Sequence, residues 1–324
     1  KKTATSTTIL FLLKASSLLS FLLSSLLSSP TKTEETVEET EVIDLVVLIF
    51  GTPLFSAIWA VAEAALEDLV VAVLVAEALV ADSAEVVFLV GVLVEVGNQF
   101  LQDILFIDIE TVPQAESYAH LDKQWQKLWD KKAARLATDD ETPEELYPRA
   151  GIYAEFGKVI CISVGFISEN QGERRFRLKT FYGEDEREIL KQFCQLLTNS
   201  YYSKTHFLCA HNGKEFDFPY LCRRILVNAI DMPDILDLAG KKPWDVKHLD
   251  TMQLWKFGDF KSYTSLELLA ALFNLDTPKD DIDGSDVYSV YYQDKNLERI
   301  RNYCEKDVVT LASIFLRMNG LPLI

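Results

Sequence analysis

Carboxylate side chains recur at spacings that place them on shared faces of predicted strands and helices. Asp108 and Glu110 lie two residues apart at the end of an apolar run, so a strand would direct both to one face. Asp217 follows a second strand-like run, and Tyr303 and Asp307 share one face of a predicted helix as an i,i+4 pair. Four converging carboxylates repel one another unless cations neutralise them. All-oxygen sites suit Mg²⁺ or Mn²⁺, and two such ions stabilise an in-line phosphoryl displacement.

Alternating strand and helix patterns must position these side chains. The apolar runs predict strands at 104–109, 158–168, 174–182, 206–210 and 246–249, with a hairpin turn at 169–173. Helical spacing marks 185–199, 218–229, 265–273, 287–292 and 297–318. This order predicts an α/β mixed sheet with an antiparallel edge, flanked by helices. Residues 112–157 are too many for an ordinary connection and predict a helical insertion plus a loop.

The composition changes near residue 97, which predicts a domain boundary there. Residues 1–97 lack seven residue types and carry a net charge of −9, about half of the total of −17. Residues 98–324 use all twenty types and hold all 5 Cys and all 4 His. We interpret 98–324 as the folded catalytic part and 1–97 as a low-complexity apolar and acidic segment.

Three interpretations of residues 1–97 stay open. The segment is non-native sequence upstream of the real start, a membrane anchor or signal, or an unfamiliar helical element. Lys1 and Lys2 before an apolar run are typical of a signal peptide. Carboxylates such as Glu63 and Glu67 interrupt the later apolar run, and each costs about 2.5–3.5 kcal/mol at a bilayer centre.

Three short motifs carry a resemblance to a known family. They are D-I-E-T at 108–111, N-G-K-E-F-D at 212–217 and Y-C-E-K-D at 303–307. In this order they resemble the three exonuclease motifs of the DEDD superfamily, and the tyrosine marks its DEDDy branch. Residues 100–324 closely resemble the predicted, Bacteroidetes-type 3′–5′ exonucleases related to the exonuclease domain of B-family DNA polymerases. The flanking blocks 149–158, 241–251 and 278–287 extend the similarity.

The resemblance implies a ribonuclease H-like fold and two-metal hydrolysis that releases 5′-mononucleotides. It implies that two Mg²⁺ or Mn²⁺ ions are held by Asp108, Glu110, Asp217 and Asp307, and that Tyr303 orients the attacking water. Thr111 and Asn212 would contact the terminal nucleotide. Single-stranded or 3′-end nucleic acid is the expected substrate, with DNA favoured, and action in DNA repair or beside a separate polymerase or repair partner is compatible with the family.

Other basic and aromatic residues are weaker candidates for substrate contacts. Lys242 beside Trp244 combines a cation with a stacking surface, which suits single strands. Lys279 lies in an acidic stretch that predicts either a substrate loop or an ordinary turn. The basic run at 174–179 predicts either a solvated sheet face or a phosphate track. For His211 and Asp250 we expect structural or positioning roles.

Alternative functions remain at this point. They are an RNA-trimming 3′–5′ exoribonuclease and a noncatalytic module of the same fold that binds nucleic-acid ends. The net charge of −17 excludes a protein that coats nucleic acid by charge alone. The cysteines show no C-x-x-C pairing, which favours a reducing, cytoplasmic location over a disulfide frame. Membrane association is expected only if residues 1–97 are an anchor.

Overall fold

The computed structural model describes residues 100–138, 141–170, 173–259, 261, 263–275 and 282–324. The predicted segment 1–97 and the candidate Lys279 lie outside these residues. Residues 102–315 belong to one compact unit. The domain boundary near residue 97 therefore stays a prediction.

A five-stranded mixed sheet forms the centre of this unit. Its strands are β1 (Ile104–Pro113), β2 (Gly157–Asn170), β3 (Glu173–Tyr182), β4 (Phe207–Ala210) and β5 (Leu249–Asp250). The order across the sheet is β3-β2-β1-β4-β5. The pairs β1–β2 and β2–β3 are antiparallel, whereas β4 runs parallel to both β1 and β5. This confirms the predicted α/β sheet with an antiparallel edge.

Eight α-helices surround or extend the sheet among the described residues. They are α1 (Lys123–Ala133), α2 (Pro143–Leu146), α3 (Glu186–Ser200), α4 (Asp217–Val227), α5 (Thr251–Lys256), α6 (Leu266–Leu272), α7 (Val287–Tyr292) and α8 (Leu297–Met318). Side-chain caps begin several of them: Asp185 accepts from Glu188 N–H, and Ser265 from Leu268 N–H. Within the described residues, no helix combines the length and apolar character that a bilayer crossing requires.

Alternation along β1 divides the core between two faces of the sheet. Leu105, Ile107 and Ile109 pack in a buried cluster with the apolar residues of α3 and α4. On the other face of the sheet, a second buried cluster contains Val112 and Cys161 together with residues of α7 and α8. Helices therefore cover the strand that carries Asp108 and Glu110, and the two carboxylates belong to the row that faces α8.

The insertion between β1 and β2 is helical, as predicted, and has its own small core. Trp129 of α1 is fully buried beside Tyr147, and its indole N–H donates to the Pro143 carbonyl over 2.7 Å. Gly151 then packs against β1, where an added Cβ would lie 3.0 Å from the Val112 backbone. The insertion is thereby fixed beside the end of β1.

Most helices and strands depart from their predicted bounds by no more than two residues, and two strands differ by more. β1 continues to Pro113 rather than ending at Ile109, because its later residues still pair with β2. The predicted strand at 246–249 is instead Leu249–Asp250. There the His248 ring is buried between the Leu208 N–H and the Ile235 carbonyl, so its position is set by side-chain hydrogen bonds rather than by strand pairing.

Candidate active site

β1 places Asp108 and Glu110 on one face of the sheet, next to α8. In the antiparallel register, Asp108 lies opposite Ser163, and Glu110 lies opposite Cys161. The register shifts immediately after Glu110, at a bulge or irregularity. Bulges of this kind redirect the side chains that follow them, and they are frequent beside active sites. The two carboxylates therefore keep the regular alternation, and the irregularity begins only beyond them.

Asp217 reaches the same region from the first residue of α4. Its side chain is 4% exposed and accepts a hydrogen bond from the Ile109 N–H of β1. Burial raises the pKa of the Asp217 carboxyl to about 7, and the Asp250 carboxylate contributes in the same direction. A carboxyl with this pKa is partly protonated at neutral pH unless a cation is bound nearby.

α8 contributes Tyr303 and Asp307 one turn apart. The Tyr303 phenol is hydrogen-bonded to the Asp307 carboxylate. Burial raises the pKa of Tyr303 well above its usual range, and the negative charges of Asp307, Glu110 and Asp108 raise it further. The phenol is therefore neutral at physiological pH and donates its proton to a carboxylate.

Mutual electrostatic effects show that the predicted side chains converge. The pKa of Asp108 is raised well above its ordinary value, first by burial and then by Asp307 and Asp217. The pKa of Glu110 is raised in the same way, by burial and then by Asp108 and Asp307. The structure thus places the four carboxylates and Tyr303 close enough together to shift one another's pKa values.

The buried carboxylates fit a divalent cation. Oδ2 of Asp108 is buried and has no hydrogen-bond partner. One ligand atom from each of Asp108, Glu110 and Cys304 lies within 4.8 Å of the others. A buried oxygen without a partner is costly, whereas a bound cation would satisfy it. Because these oxygens are hard ligands, they suit Mg²⁺ or Mn²⁺.

Cys304 at this cluster was not predicted from the sequence. The residue is fully buried on α8 and its thiol donates to the Asp108 carbonyl over 3.4 Å. Burial raises the pKa of the Cys304 thiol well above its ordinary value, so the thiol is protonated. Its position next to Tyr303 in the sequence was the available signal, but a helix turns neighbouring side chains by about 100°. Only the packing of α8 on β1 shows where the thiol points.

The loop between β4 and α4 carries Asn212 and lies against the Asp250 carboxylate. Asn212 has a left-handed φ of 62°, and its Oδ1 atom is buried without a hydrogen-bond partner. The Asp250 carboxylate holds this loop by accepting from the N–H groups of Asn212 and Lys214 at 3.0 and 3.1 Å. Asp250 also accepts from Met252 and Gln253 at the start of α5. Its contacts are structural, as expected.

His211 and Thr111 are both engaged by neighbouring protein groups. The two ring nitrogens of His211 lie 2.9 Å from Thr251 Oγ1 and 2.8 Å from the Thr264 carbonyl. Burial lowers the pKa of His211, which favours the neutral ring and the expected positioning role. The Thr111 hydroxyl donates to the Gly151 carbonyl over 2.9 Å. Because its proton is already donated, the Thr111 hydroxyl can contact a substrate only as a hydrogen-bond acceptor, and its contact with the terminal nucleotide stays a prediction.

The structure does not bring Lys242 and Trp244 to the carboxylates. Both precede Lys247, whose ammonium contacts the Ser203 carbonyl and lies over the Phe207 ring. Ser203 and Phe207 lie at the beginning of β4, whereas the carboxylates lie beyond its end. Lys242 and Trp244 do form the predicted cation–aromatic pair, with Nζ 5.3 Å from the ring centroid. Their contact with a substrate stays a prediction.

The strand order and the flanking helices define an α/β protein with the ribonuclease H-like arrangement expected from the motifs. The sequence model of one family matches residues 152–322, more than half of the chain. The chain belongs to this family, the predicted 3′–5′ exonucleases related to the exonuclease domain of PolB.

A solved structure that resembles this chain is the family B DNA polymerase from the hyperthermophilic archaeon Pyrobaculum calidifontis. The two share 16% sequence identity with a TM-score of 0.41. The match covers 68% of this chain and 26% of that polymerase. The aligned region thus spans about a quarter of the polymerase.

Proposed function

We propose that this protein is a metal-dependent 3′–5′ exonuclease that hydrolyses nucleic acid, with DNA favoured, to 5′-mononucleotides. The observation that carries the proposal is the convergence of Asp108, Glu110, Asp217 and Asp307 around Tyr303. Family membership supports the direction of digestion. Both the substrate preference and the assignment of roles to individual residues belong to the proposal.

In this proposal the four carboxylates would hold two Mg²⁺ or Mn²⁺ ions. Asp108 is well placed for this because its charge interacts with those of Asp217, Asp307 and Glu110 and because Oδ2 has no protein partner. When bound, the ions supply charge neutralisation for the phosphodiester and for the departing 3′ oxygen. Asp217 contributes from α4, so its ligand position depends on the contact between α4 and the backbone of Ile109.

Tyr303 orients the attacking water in this mechanism. Its proton is directed to Asp307, so the lone pairs of the phenolic oxygen are left to accept a hydrogen bond from water. Because its pKa is raised, the phenol does not serve as a base at physiological pH. Its role is therefore to hold the water in position, which places a nucleophile beside the carboxylates.

Digestion of labelled DNA and RNA by the wild type and by Asp217→Ala tests the proposal. We expect the wild type to release mononucleotides from the 3′ end in Mg²⁺ or Mn²⁺, and Asp217→Ala to release none while its circular dichroism spectrum is unchanged. Asp231→Ala is a matched control, since Asp231 is exposed and lies after α4. Full activity in Asp217→Ala would refute the site assignment.

The same assay separates the alternatives. Faster digestion of RNA than of DNA would indicate a trimming exoribonuclease. Binding of 3′ ends without cleavage in either metal would indicate the noncatalytic module and would refute the enzymatic proposal.

A further inference from the structure

The most exposed large apolar side chains of the described residues are three aromatic rings within twenty positions of one another. Phe257 is 84% exposed, Trp244 is 76% exposed and Tyr263 is 71% exposed. Isolated exposed apolar residues are normal, but a group of exposed aromatic residues marks a binding surface. Trp244 lies on the side of β5 that leads away from the carboxylates. Phe257 and Tyr263 follow β5, on the side where the carboxylates lie.

Two sets of hydrogen bonds fix the segment that carries Phe257 and Tyr263 to the loop of the candidate active site. Asp250 bonds at once to the N–H of Asn212 and to the first turn of α5. Phe257 ends α5, about 9 Å along the helix from that turn. Tyr263 immediately precedes Thr264, whose carbonyl lies 2.8 Å from the His211 ring. The backbone that carries both rings is thus tied to the loop that holds His211 and Asn212.

The backbone at Phe257 is strained without any compensating burial of its ring. Phe257 has a φ of 44° and a ψ of 37°, and Gly258 follows with a φ of 89°. A left-handed conformation costs a bulky residue about 1–2 kcal/mol, and the solvent-exposed ring recovers little of that cost by packing. The underlying helix is nevertheless fixed, because Trp255 packs edge-on against Phe273 at 5.8 Å. Strain of this kind, on a fixed base, indicates a role for the exposed ring.

Two lysines and one carboxylate accompany the two rings, the carboxylate being that of Asp259, which accepts from the Lys261 N–H over 2.9 Å. Lys256 directly precedes Phe257, and exposed Lys261 lies two residues before Tyr263. Among the described residues neither lysine forms an ion pair with a carboxylate that would cancel its charge. Aromatic rings interleaved with cations are the combination that binds single-stranded nucleic acid, by stacking the bases and neutralising the phosphates.

We infer that Phe257, Tyr263, Lys256 and Lys261 form a surface that holds the unpaired strand leading to the scissile 3′ nucleotide. The inference rests on the proposed function, and it assigns to these four residues the binding of the nucleotides upstream of the cut. The rings stack bases upstream of the cut, and the lysines contact their phosphates. This surface acts on substrate binding and does not take part in hydrolysis.

Binding of a fluorescein-labelled decathymidylate in EDTA tests the surface without relying on activity. We expect Phe257→Asn and Tyr263→Ala each to weaken binding about 5- to 150-fold, the range for loss of one stacked base. Asn tolerates a left-handed backbone, so the first change removes the ring and keeps the turn. Phe257→Trp keeps an aromatic ring at this position and should bind decathymidylate as tightly as the wild type. The double substitution Lys256→Gln and Lys261→Gln should reduce the slope of log affinity against log salt by about 1.4.

Tyr202→Ala is the matched control, because Tyr202 is 62% exposed but lies before β4, at the other end of that strand from His211. Its affinity should equal that of the wild type. Hydrolysis provides a second measurement: Phe257→Asn should raise KM for decathymidylate and leave KM unchanged for the p-nitrophenyl ester of thymidine 5′-monophosphate, which has no upstream strand.

The outcomes distinguish this inference from the proposed function. If the wild type hydrolyses neither substrate, the exonuclease proposal fails whatever the binding data show. If the wild type is active and the ring variants bind decathymidylate as tightly as it does, the inference is wrong and the exonuclease proposal stands. In that case the rings would face a different kind of partner, such as a protein.

Discussion

Replacing Asp217 with Asn should make the metal-free protein more stable while it abolishes hydrolysis. Asp217 is almost fully buried, and burial raises its pKa from 3.8 to about 7. Above that pH the folded protein must hold a buried negative charge close to other carboxylates. Asn has nearly the same shape, keeps an oxygen that can accept from the Ile109 N–H, and carries no charge.

The sign of the pH dependence follows from proton binding. Between pH 3.8 and about 7 the unfolded chain loses the proton of Asp217 while the folded protein keeps it. The folded state therefore binds more protons, and the free energy of unfolding falls as the pH rises through this range. At 1.36 kcal/mol per pKa unit, the total loss at pH 8 is about 4 kcal/mol, and Asp217→Asn recovers up to this amount.

Urea unfolding in EDTA at pH 4, 6 and 8 provides the measurement. We expect the difference in free energy between Asp217→Asn and the wild type to grow with pH and to favour the variant at pH 8. Asp231→Asn, at an exposed position, should follow the wild type throughout. Mg²⁺ at saturating concentration should stabilise the wild type more than Asp217→Asn, because a cation that binds only the folded state adds stability. A variant no more stable than the wild type at pH 8 would show that Asp217 carries no buried charge and would refute this reasoning.

Three further substitutions test other parts of the site and the fold. Tyr303→Phe should lower kcat about 10²- to 10⁴-fold in single-turnover digestion, while calorimetric titration shows unchanged metal affinity, because the lost hydroxyl positions water. A large fall in metal affinity would contradict that role. Asp250→Ala should lower the free energy of unfolding in urea by about 2–5 kcal/mol, since it deprives four backbone N–H groups of their acceptor. Asp250→Asn, which keeps one acceptor oxygen, should lower the free energy of unfolding by less. Glu186→Gln should cost about 3–5 kcal/mol in thermal unfolding, because it leaves the buried Arg224 guanidinium without its 2.6 Å ion-pair partner. Glu173→Gln, in an exposed pair with Arg175, should change stability by about 0.5 kcal/mol or less.

Local periodicity predicted the parts of the site that lie within one element. Asp108 and Glu110 alternate on one strand, and Tyr303 and Asp307 lie one turn apart on α8, as their spacing required. Helices α7 and α8 have the predicted bounds. These features depend on the 2.0-residue repeat of strands and the 3.6-residue repeat of helices, and both repeats can be read from the order of residues along the chain.

Features that depend on contacts between distant residues were not predicted. Cys304 lies at the carboxylates only because α8 packs on β1. The Thr111 hydroxyl is engaged because the insertion brings Gly151 against it, 40 residues away. Lys242 and Trp244 do form a cation–aromatic pair. Because β5 runs parallel to β4, however, the loop that carries this pair lies at the end of the sheet away from the carboxylates. Spacing along the chain carries no information about which end of the sheet the loop before β5 occupies.

The basic run on β3 has a consequence for how copies of the protein behave at high concentration. β3 is an outer strand of the sheet, and an uncovered strand edge can pair with the edge of another chain. Arg175, Arg177 and Lys179 are exposed along it. When two such edges approach each other, like charges meet, and this opposes aggregation through added strands. Conditions or substitutions that neutralise these residues should therefore promote self-association before they affect the catalytic carboxylates.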